Sequence, residues 1–233
     1  MGYGKMNKII YEDNHLLVVE KPRNMLVQED NTKDFDLLTS LKKYIKEKYN
    51  KPGDVYLGLV HRLDRPVGGV MVFARTSKAA SRLSDAIRTH DFNKCYFAIV
   101  QGNLKGTGVL EDYLKKIESE NKTIVDKFGK YSKLSYEVLG NKDNLSLVLI
   151  HLETGRSHQI RVQFSSRGYP LWGDQKYNID AKVGEQIALW SCLLEFNHPT
   201  LKNKLSFKLE PPINEYPWNL FKGEIEKWKN IKK

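Results

Sequence analysis

The feature that most limits how this chain can fold is a pair of β-prone segments joined by a turn sequence. The segment KLSYEVL (133–139) alternates apolar and polar residues, NKDN follows it, and LSLVLIHLE (145–153) is largely apolar. Alternation predicts a half-buried strand, and a short apolar run bounded by turn residues predicts a fully buried one. Together they predict an antiparallel hairpin whose second strand lies inside a sheet.

Similar strand patterns recur along the chain, with helical spacing between some of them. Residues 8–21 are predicted to form a hairpin, residues 37–48 keep the apolar spacing of a helix, and Thr76 or Ser77 is suited to cap a further helix. The other predicted elements are strands at 55–60, 70–74, 95–100, 187–196 and 204–210, and a short helix within 154–168 capped by Ser157. This order predicts an α+β fold, with a mixed, mostly antiparallel central β-sheet and peripheral helices.

No repeat, low-complexity tract or linker divides the sequence. We therefore expect a single domain over residues 1–233. The polar stretch 115–132 is expected to form a long loop or an irregular hairpin.

The charge of the chain points to a polyanionic partner. It has 38 Lys and Arg against 28 Asp and Glu, a formal net charge of +10 at pH 7. Because neutralised phosphates release counterions, such a balance is typical of proteins that bind nucleic acid. A membrane surface is the competing partner, but no apolar run is long enough to span a bilayer, and the start, MGYGKMNKII, lacks the apolar core of a signal peptide. We expect a cytoplasmic protein with no membrane partner.

The two cysteines, Cys95 and Cys192, each lie inside an apolar stretch. Burial as free thiols explains them better than a disulfide or a metal site, because cysteine is among the most often buried residue types. No CxxC, HExxH or close group of His and Cys is present. The sequence therefore predicts no metal site.

The segment HRLDR (61–65) places a carboxylate on a chain that is otherwise suited to binding polyanions. Asp64 lies between Arg62 and Arg65, which favour its ionised form. A carboxylate repels phosphate, so its presence needs a reason. Either it orients the two arginines through a local ion pair, or it performs nucleophilic or ion-stabilising chemistry at a sugar or a base.

A second basic segment is LETGRSHQIRVQFSSRGYPLWGDQKY (152–177). Arg156, His158 and Arg161 stand close to the predicted helix start, where positive charge and free backbone N–H groups favour an anion. A solvated basic face explains the charge equally well. It does not explain the interleaved apolar residues such as Ile160, which imply that the segment is half buried.

Three further residues have ordinary structural interpretations. Tyr96 stands between Cys95 and Phe97 on a predicted strand, where a tyrosine is more often a core residue than a catalytic one. His61 and His158, taken alone, are more often histidines with satisfied structural hydrogen bonds than functional ones.

These segments together resemble the RluA-type RNA pseudouridine synthases. HRLDRPVGGVMVFARTSKAA is similar to the family's catalytic stretch, and KCYFAIVQG to the stretch with its active-site tyrosine. LETGRSHQIRVQFSSRGYPLWGDQKY is similar to the third motif, while YEDNHLLVVEKPRNMLV and LLEFNHP resemble the opening hairpin with its Lys-Pro and a late strand. The motifs keep the family's order over about residues 8–212, which leaves 213–233 as a C-terminal extension.

The resemblance implies a basic active-site cleft and the isomerisation of uridine to pseudouridine in structured ribosomal or transfer RNA, with no cofactor and no metal. Asp64 matches the catalytic aspartate, Tyr96 the tyrosine that stacks on the target base, and Arg161 the basic residue that pairs with the aspartate. Ile160 matches the apolar neighbour of the tyrosine, and Arg62 the arginine that fills the vacated stack. The residues expected to bind RNA or the base are Arg62, His61, Arg65, Arg156, His158 and Ile160.

The chemistry agrees with these assignments. The reaction breaks the N1–C1′ bond, rotates the uracil and joins C5 to C1′, so the nucleotide must leave the stack, at a cost of a few kcal/mol. Arg62 and Tyr96 are suited to offset part of that cost by stacking. Attack by Asp64 at C1′ or at C6, and abstraction of a sugar proton, all remain open at this point.

Two departures and three rival functions complete the expectations. Val67-Gly68 stands where many members have Thr-Ser, which affects the shape of the loop, and the hairpin begins so early that no S4 domain is expected. We expect a monomer. The rivals are a non-catalytic RNA-binding protein on the same fold, a nucleoside glycosylase that uses Asp64, and a lysine-rich scaffold.

Overall fold

A computed structural model of the protein describes residues 8–231. The chain divides into two compact units: unit 1 is Met1–Phe92 with Leu193–Leu209, and unit 2 is Asn93–Cys192 with Glu210–Lys233. The strands are β1 (Lys8–Glu12), β2 (Leu16–Lys21), β3 (Gly58–Leu59), β4 (Gly68–Ala74), β5 (Phe92–Gln101), β6 (Thr107–Ile117), β7 (Lys122–Val125), β8 (Lys130–Lys142), β9 (Leu145–Leu152), β10 (Leu189–Asn197) and β11 (Lys204–Lys208). The helices are α1 (Leu37–Lys48), α2 (Ser77–Arg88), α3 (Gln159–Ser165) and α4 (Lys222–Asn230), with 3-10 turns at Glu118–Glu120 and Trp218–Phe221.

In unit 1 the strand order is β1-β2-β4-β10, with β3 on β4 and β11 on β10. Asp13 fixes the first hairpin, because its Oδ1 accepts the backbone N–H groups of His15 and Leu16, each at 2.7 Å. Alternate residues of β2 and β4 form one side of a core that α2 covers with Ala79 and Leu83. The unit is therefore a sheet with a helix packed on one face.

In unit 2 the strands β5, β9, β8, β6 and β7 follow one another in that order, each pair antiparallel. The turn between β8 and β9 has Asp143 and Asn144 at φ of 51° and 56°, and two such residues match the twist of a hairpin. Helix α3 lies against this sheet, where the ring of Phe164 meets that of Tyr136 at 5.5 Å.

The predicted α+β class with mostly antiparallel strand pairing is confirmed. Both predicted hairpins form, α1 forms, and Thr76 caps α2 by accepting the Ala79 N–H at 3.2 Å. Cys95 and Cys192 are buried and not disulfide-bonded, as predicted. Among residues 8–231 no helix is both long and apolar enough to cross a bilayer.

Two local predictions need correction, and the structure decides between two alternatives for a third segment. The strand predicted at 55–60 is only two residues long, Gly58–Leu59. The stretch 115–132 is mainly strand, because the end of β6, β7 and the start of β8 pair with one another, so the hairpin alternative is the correct one. Ser157 does not cap α3: the N-cap is His158, at φ 53° and without a side-chain cap bond.

The described part of the C-terminal extension, residues 213–231, belongs to unit 2. The 3-10 turn buries Trp218 and Phe221, and α4 buries Ile225 completely. The ring of Trp228 packs edge-on against Phe97 of β5 at 4.8 Å. The C-terminal helix is therefore part of this unit's core, which the sequence did not predict. The single-domain assignment stays a prediction.

Candidate active site

In unit 1, Asp64 lies on a loop that buried neighbours hold in place. Leu63 and Val67 are buried, whereas Asp64 is half buried, and its backbone carbonyl accepts the Val67 N–H at 3.0 Å. The loop leads directly into β4, whose residues are all buried. A rigid strand thus positions a loop that bears a carboxylate, an arrangement common for functional residues.

A buried lysine, Lys21, holds the same loop through hydrogen bonds to its backbone. The Lys21 side chain is fully buried, and its Nζ donates to the carbonyl oxygens of Arg65 at 3.0 Å, Val67 at 2.7 Å and Pro22 at 2.9 Å. Burial lowers the pKa of the Lys21 ammonium to about 7; the negative charge of Asp64 acts in the opposite direction, and the positive charge of Arg65 adds to the lowering. Lys21 therefore ties the end of β2 to the part of the loop that follows Asp64.

The basic residues around Asp64 differ in their surroundings. Arg62 is exposed and makes no hydrogen bond or ion pair with any residue in 8–231. The Nη1 of Arg65 lies 2.7 Å from Oδ2 of Asp34, with both side chains about half exposed. His61 has a structural contact, since its Nε2 accepts the Val72 N–H at 3.1 Å. Of these three, Arg62 has the surroundings best suited to contacting a ligand.

In unit 2, Arg161 forms a buried bidentate ion pair with Asp174. The Arg161 Nε donates to Oδ2 at 2.8 Å and its Nη2 to Oδ1 at 2.6 Å. The two side chains are 7% and 0% exposed, so the pair is almost fully withdrawn from solvent. Parallel fork-to-fork bonds of this kind fix the orientation of a guanidinium as well as its charge.

Tyr177 organises the other face of that guanidinium. Its ring centroid lies 5.1 Å from the Arg161 Cζ, its hydroxyl is 2.7 Å from Nδ1 of His158, and it accepts the Thr123 N–H at 2.7 Å. Burial raises the pKa of Tyr177, against the hydrogen bond from Thr123 and the charge of Arg161. Arg161 and His158, both predicted site residues, are thus brought together around one tyrosine.

The turn before α3 is fixed by the amide side chain of Gln159. Its Oε1 accepts from the Thr154 hydroxyl at 2.8 Å and from the Arg156 N–H at 3.0 Å, and its Nε2 donates to the Lys133 carbonyl at 3.1 Å. Arg156 itself is exposed, and its Nε donates to the Tyr131 carbonyl at 2.9 Å. These bonds explain how the helix starts without Ser157 as a cap.

Tyr96 and Ile160 are both buried in unit 2, each with 5% of its surface exposed. The α3 residues Gln159–Phe164 are all buried, so this segment is more enclosed than the predicted half-buried helix. Asp64 belongs to unit 1, whereas Tyr96 and Arg161 belong to unit 2. The predicted grouping of the three into one site therefore stays a prediction.

Four residues with clear roles or unusual surroundings were given no function from the sequence: Lys21, Lys94, Asp174 and Tyr177. Asp174 and Tyr177 lie inside the third motif (152–177), and Lys21 stands before Pro22 in the opening hairpin motif. The motifs therefore contained these residues, but their roles became visible only from contacts between residues distant in sequence. Within 8–231 no group of three or more His, Cys, Asp or Glu is placed to hold a metal ion.

A family model described as RNA pseudouridylate synthase matches residues 15–166. The chain belongs to that family. It is 34% identical to ribosomal large subunit pseudouridine synthase D of Zymomonas mobilis, over 88% of this chain and 69% of the relative. The corresponding protein of Pseudomonas aeruginosa is 35% identical, over 89% of this chain and 68% of the relative.

Solved structures show the same fold for this pseudouridine synthase. Human RNA pseudouridylate synthase domain containing 4 matches with a TM-score of 0.74 at 22% identity, covering 94% of this chain and 93% of the human one. Human RNA pseudouridylate synthase domain containing 1 matches with a TM-score of 0.70, covering 91% and 87%. The predicted family, the isomerase class and RNA as substrate are thereby confirmed.

Proposed function

We propose that this enzyme converts specific uridines of large-subunit ribosomal RNA to pseudouridine, with Asp64 as nucleophile. The observation that supports the target is that relatives 34% and 35% identical are named ribosomal large subunit pseudouridine synthases. A map of pseudouridine in cellular RNA with and without the gene tests it. The expected result is a loss confined to large-subunit RNA; a loss confined to transfer RNA would contradict the target.

The surroundings of Asp64 support its role as nucleophile. It is half buried on a loop anchored by Leu63, Val67 and Lys21, so its carboxylate is held without being sealed from a substrate. Pre-positioning of this kind is what a nucleophile needs, since a displacement of about 1 Å costs about 100-fold in rate. Arg62, exposed and without a partner in the described chain, is proposed to enter the stack that the uridine leaves.

In unit 2, Tyr96 is proposed to stack on the extruded base, with Ile160 packing behind it. Arg161 is proposed as the basic residue that acts with Asp64 in the reaction, and its bidentate pair with Asp174 fixes its orientation. The aspartate partner thus makes Arg161 a pre-oriented cation rather than a mobile one. Arg65, Arg156, His61 and His158 are proposed to line the path of the RNA.

The decisive experiment is Asp64→Asn, assayed by release of tritium from C5-labelled ribosomal RNA. We expect tritium release to be abolished while the affinity for RNA is retained, because the amide keeps the shape but loses the nucleophilic charge. The matched control is Asp85→Asn, because the Asp85 carboxylate of α2 is exposed and contacts only Arg88 among the described residues. Release at the wild-type rate by the Asp64 variant would overturn the assignment.

The mass of the RNA separates isomerisation from the glycosylase alternative. Isomerisation leaves the mass of the RNA unchanged, whereas release of the base lowers it. We further propose that the enzyme acts in the cytoplasm, where ribosomal RNA of bacterial type is made, and that it acts as a monomer. Light scattering of the free enzyme measures its mass in solution, and the mass of a dimer would contradict the proposed monomer.

A further inference from the structure

Lys94 of β5 is a buried cation with no counterpart. Only 7% of its surface is exposed, yet its Nζ makes no hydrogen bond or ion pair with any residue of the described chain 8–231. Burial lowers the pKa of the Lys94 ammonium, and no neighbouring charge opposes that effect. An ammonium withdrawn from most of the solvent and without an acceptor among the described residues is unfavourable, so an anionic or carbonyl ligand is a natural partner for it.

The other buried lysine shows the contrast. Lys21 is also enclosed, but three backbone carbonyls accept from its ammonium, so its position is explained by the fold. Lys94 has no such acceptors. Its burial therefore suits a ligand group that residues 8–231 do not supply.

The location of Lys94 indicates which ligand it meets. Successive side chains of a strand alternate between faces, so Lys94 and Tyr96 share one face of β5. A Cβ added at Gly155 would lie 3.7 Å from the Lys94 Nζ, which places the ammonium beside the turn that leads to α3 and Arg161. The ammonium thus lies between the strand of the proposed stacking tyrosine and the turn before the proposed catalytic arginine.

We propose that Lys94 binds a carbonyl oxygen of the extruded uracil and stabilises the negative charge of the base while its glycosidic bond is open. This inference rests on the proposed role of Tyr96 as the platform for that base. A positive group aimed at developing charge in an enclosed site is an effective catalyst, because it needs no reorganisation during the reaction.

The charge arises from the reaction itself. When the N1–C1′ bond breaks, its electron pair stays on the uracil, so negative charge spreads over N1, O2 and O4. When C5 joins C1′, C5 supplies the electron pair of the new bond and releases its proton, and N1 takes up a proton. The product has the mass of the substrate, and no oxidant, reductant or further reactant is required.

An RNA phosphate is the other group that a lysine commonly binds. Phosphates remain on the outside of the nucleic acid, and exposed residues such as Arg62 and Arg156 are suited to them. The base is the part of the nucleotide that enters an enclosed position when it is extruded. The burial of Lys94 therefore favours the base.

The test compares Lys94→Met with Lys94→Arg, and with Lys105→Met as the matched control. Lys105 is exposed, lies in the turn after β5 and makes no hydrogen bond or ion pair with a described residue. The measurements are the single-turnover rate on ribosomal RNA and the Kd for that RNA at several salt concentrations. We expect Lys94→Met to lower the rate about 100-fold or more with an unchanged Kd, Lys94→Arg to recover part of it, and the control to match the wild type.

Each outcome has a distinct meaning. An unchanged rate overturns the proposal, and a weaker Kd with a salt slope reduced by about 1 assigns Lys94 to a phosphate instead. Unfolding in urea separates a structural role: the proposal expects Lys94→Met to be at least as stable as the wild type, because an unpaired buried charge is removed. Lack of tritium release by the wild-type enzyme on ribosomal RNA would contradict the proposed function, not this assignment.

Discussion

Replacing Lys21 by methionine removes the ammonium that ties the end of β2 to the Asp64 loop. Methionine keeps the length of the side chain and fills the apolar space around its stem, so the change isolates the three hydrogen bonds. The Val67 carbonyl loses its donor at a buried position, whereas the Arg65 and Pro22 carbonyls lose theirs at part-buried positions. The variant therefore exposes how much the loop depends on one cation.

The expected loss follows from the burial of each acceptor. A buried carbonyl without a donor costs about 2–3 kcal/mol, and a partly solvated one about 0.5–1 kcal/mol. Counting Val67 as the first kind and the other two as the second gives a decrease in the free energy of unfolding of about 3–5 kcal/mol. Because the loop carries Asp64, the rate of tritium release should also fall, by about 10- to 100-fold.

The dependence on pH gives an independent check. The Lys21 pKa is about 7 in the folded protein, below its ordinary value of 10.5, so the unfolded chain binds more protons between those values. The Lys21 contribution to the free energy of unfolding is then largest above pH 10.5 and is lost as the pH falls through about 7. The gap in stability between wild type and Lys21→Met should therefore widen as the pH rises above 7.

Urea unfolding followed by circular dichroism at several pH values measures both effects. The control is Lys42→Met, an exposed lysine of α1 without a partner in the described chain, where the two residues have similar helix propensity. A decrease in the free energy of unfolding below about 1 kcal/mol would show that the three carbonyls do not depend on Lys21, because one unsatisfied buried acceptor usually costs more than that. A gap that stays constant or narrows with rising pH would refute the inferred deprotonation.

Two further predictions concern unit 2. Arg161→Met leaves the Asp174 carboxylate buried without its cation, so thermal unfolding should show a loss of about 3–5 kcal/mol in the free energy of unfolding. The double variant Arg161→Met with Asp174→Leu should regain most of that stability but not the activity. A loss below about 1 kcal/mol in the single variant would contradict a structural ion pair. Ile225→Ala in α4 should lower the free energy of unfolding in urea by about 2–4 kcal/mol, because Ile225 is fully buried, whereas Lys227→Ala on the exposed side should change it by less than about 0.5 kcal/mol. Equal effects of the last two would show that α4 is not part of the core.

Local sequence information was sufficient where neighbouring residues decide the structure. The hairpins of residues 8–21 and 133–153 follow from alternation and turn residues, and α2 follows from Thr76 as its cap. The family motifs also single out Asp64, Tyr96 and Arg161, because each motif is one continuous stretch, and the roles of the three residues stay predictions. In these cases the chemical signal and the structural cause lie within a few residues of each other.

The sequence was misleading where a local signal competed with contacts formed elsewhere. Ser157 looks like a helix cap, but Gln159 takes the nearby donors and α3 begins at that residue. The apolar run at 55–60 looks like a strand, but only Gly58–Leu59 pair with β4. Strand length depends on a partner, and a partner is not visible in the run itself.

By itself the sequence indicated most of the strands and helices, the family, and Asp64 as the candidate nucleophile. Only the tertiary structure decided that Asp174 holds Arg161, that Lys21 holds the Asp64 loop, and that Lys94 is buried with no hydrogen-bond or ion-pair partner in residues 8–231. The Lys21 bonds reach carbonyls 44 and 46 residues along the chain, and no spacing rule links such positions. A charged group takes its meaning from its burial and its neighbours, and both exist only after the chain has folded.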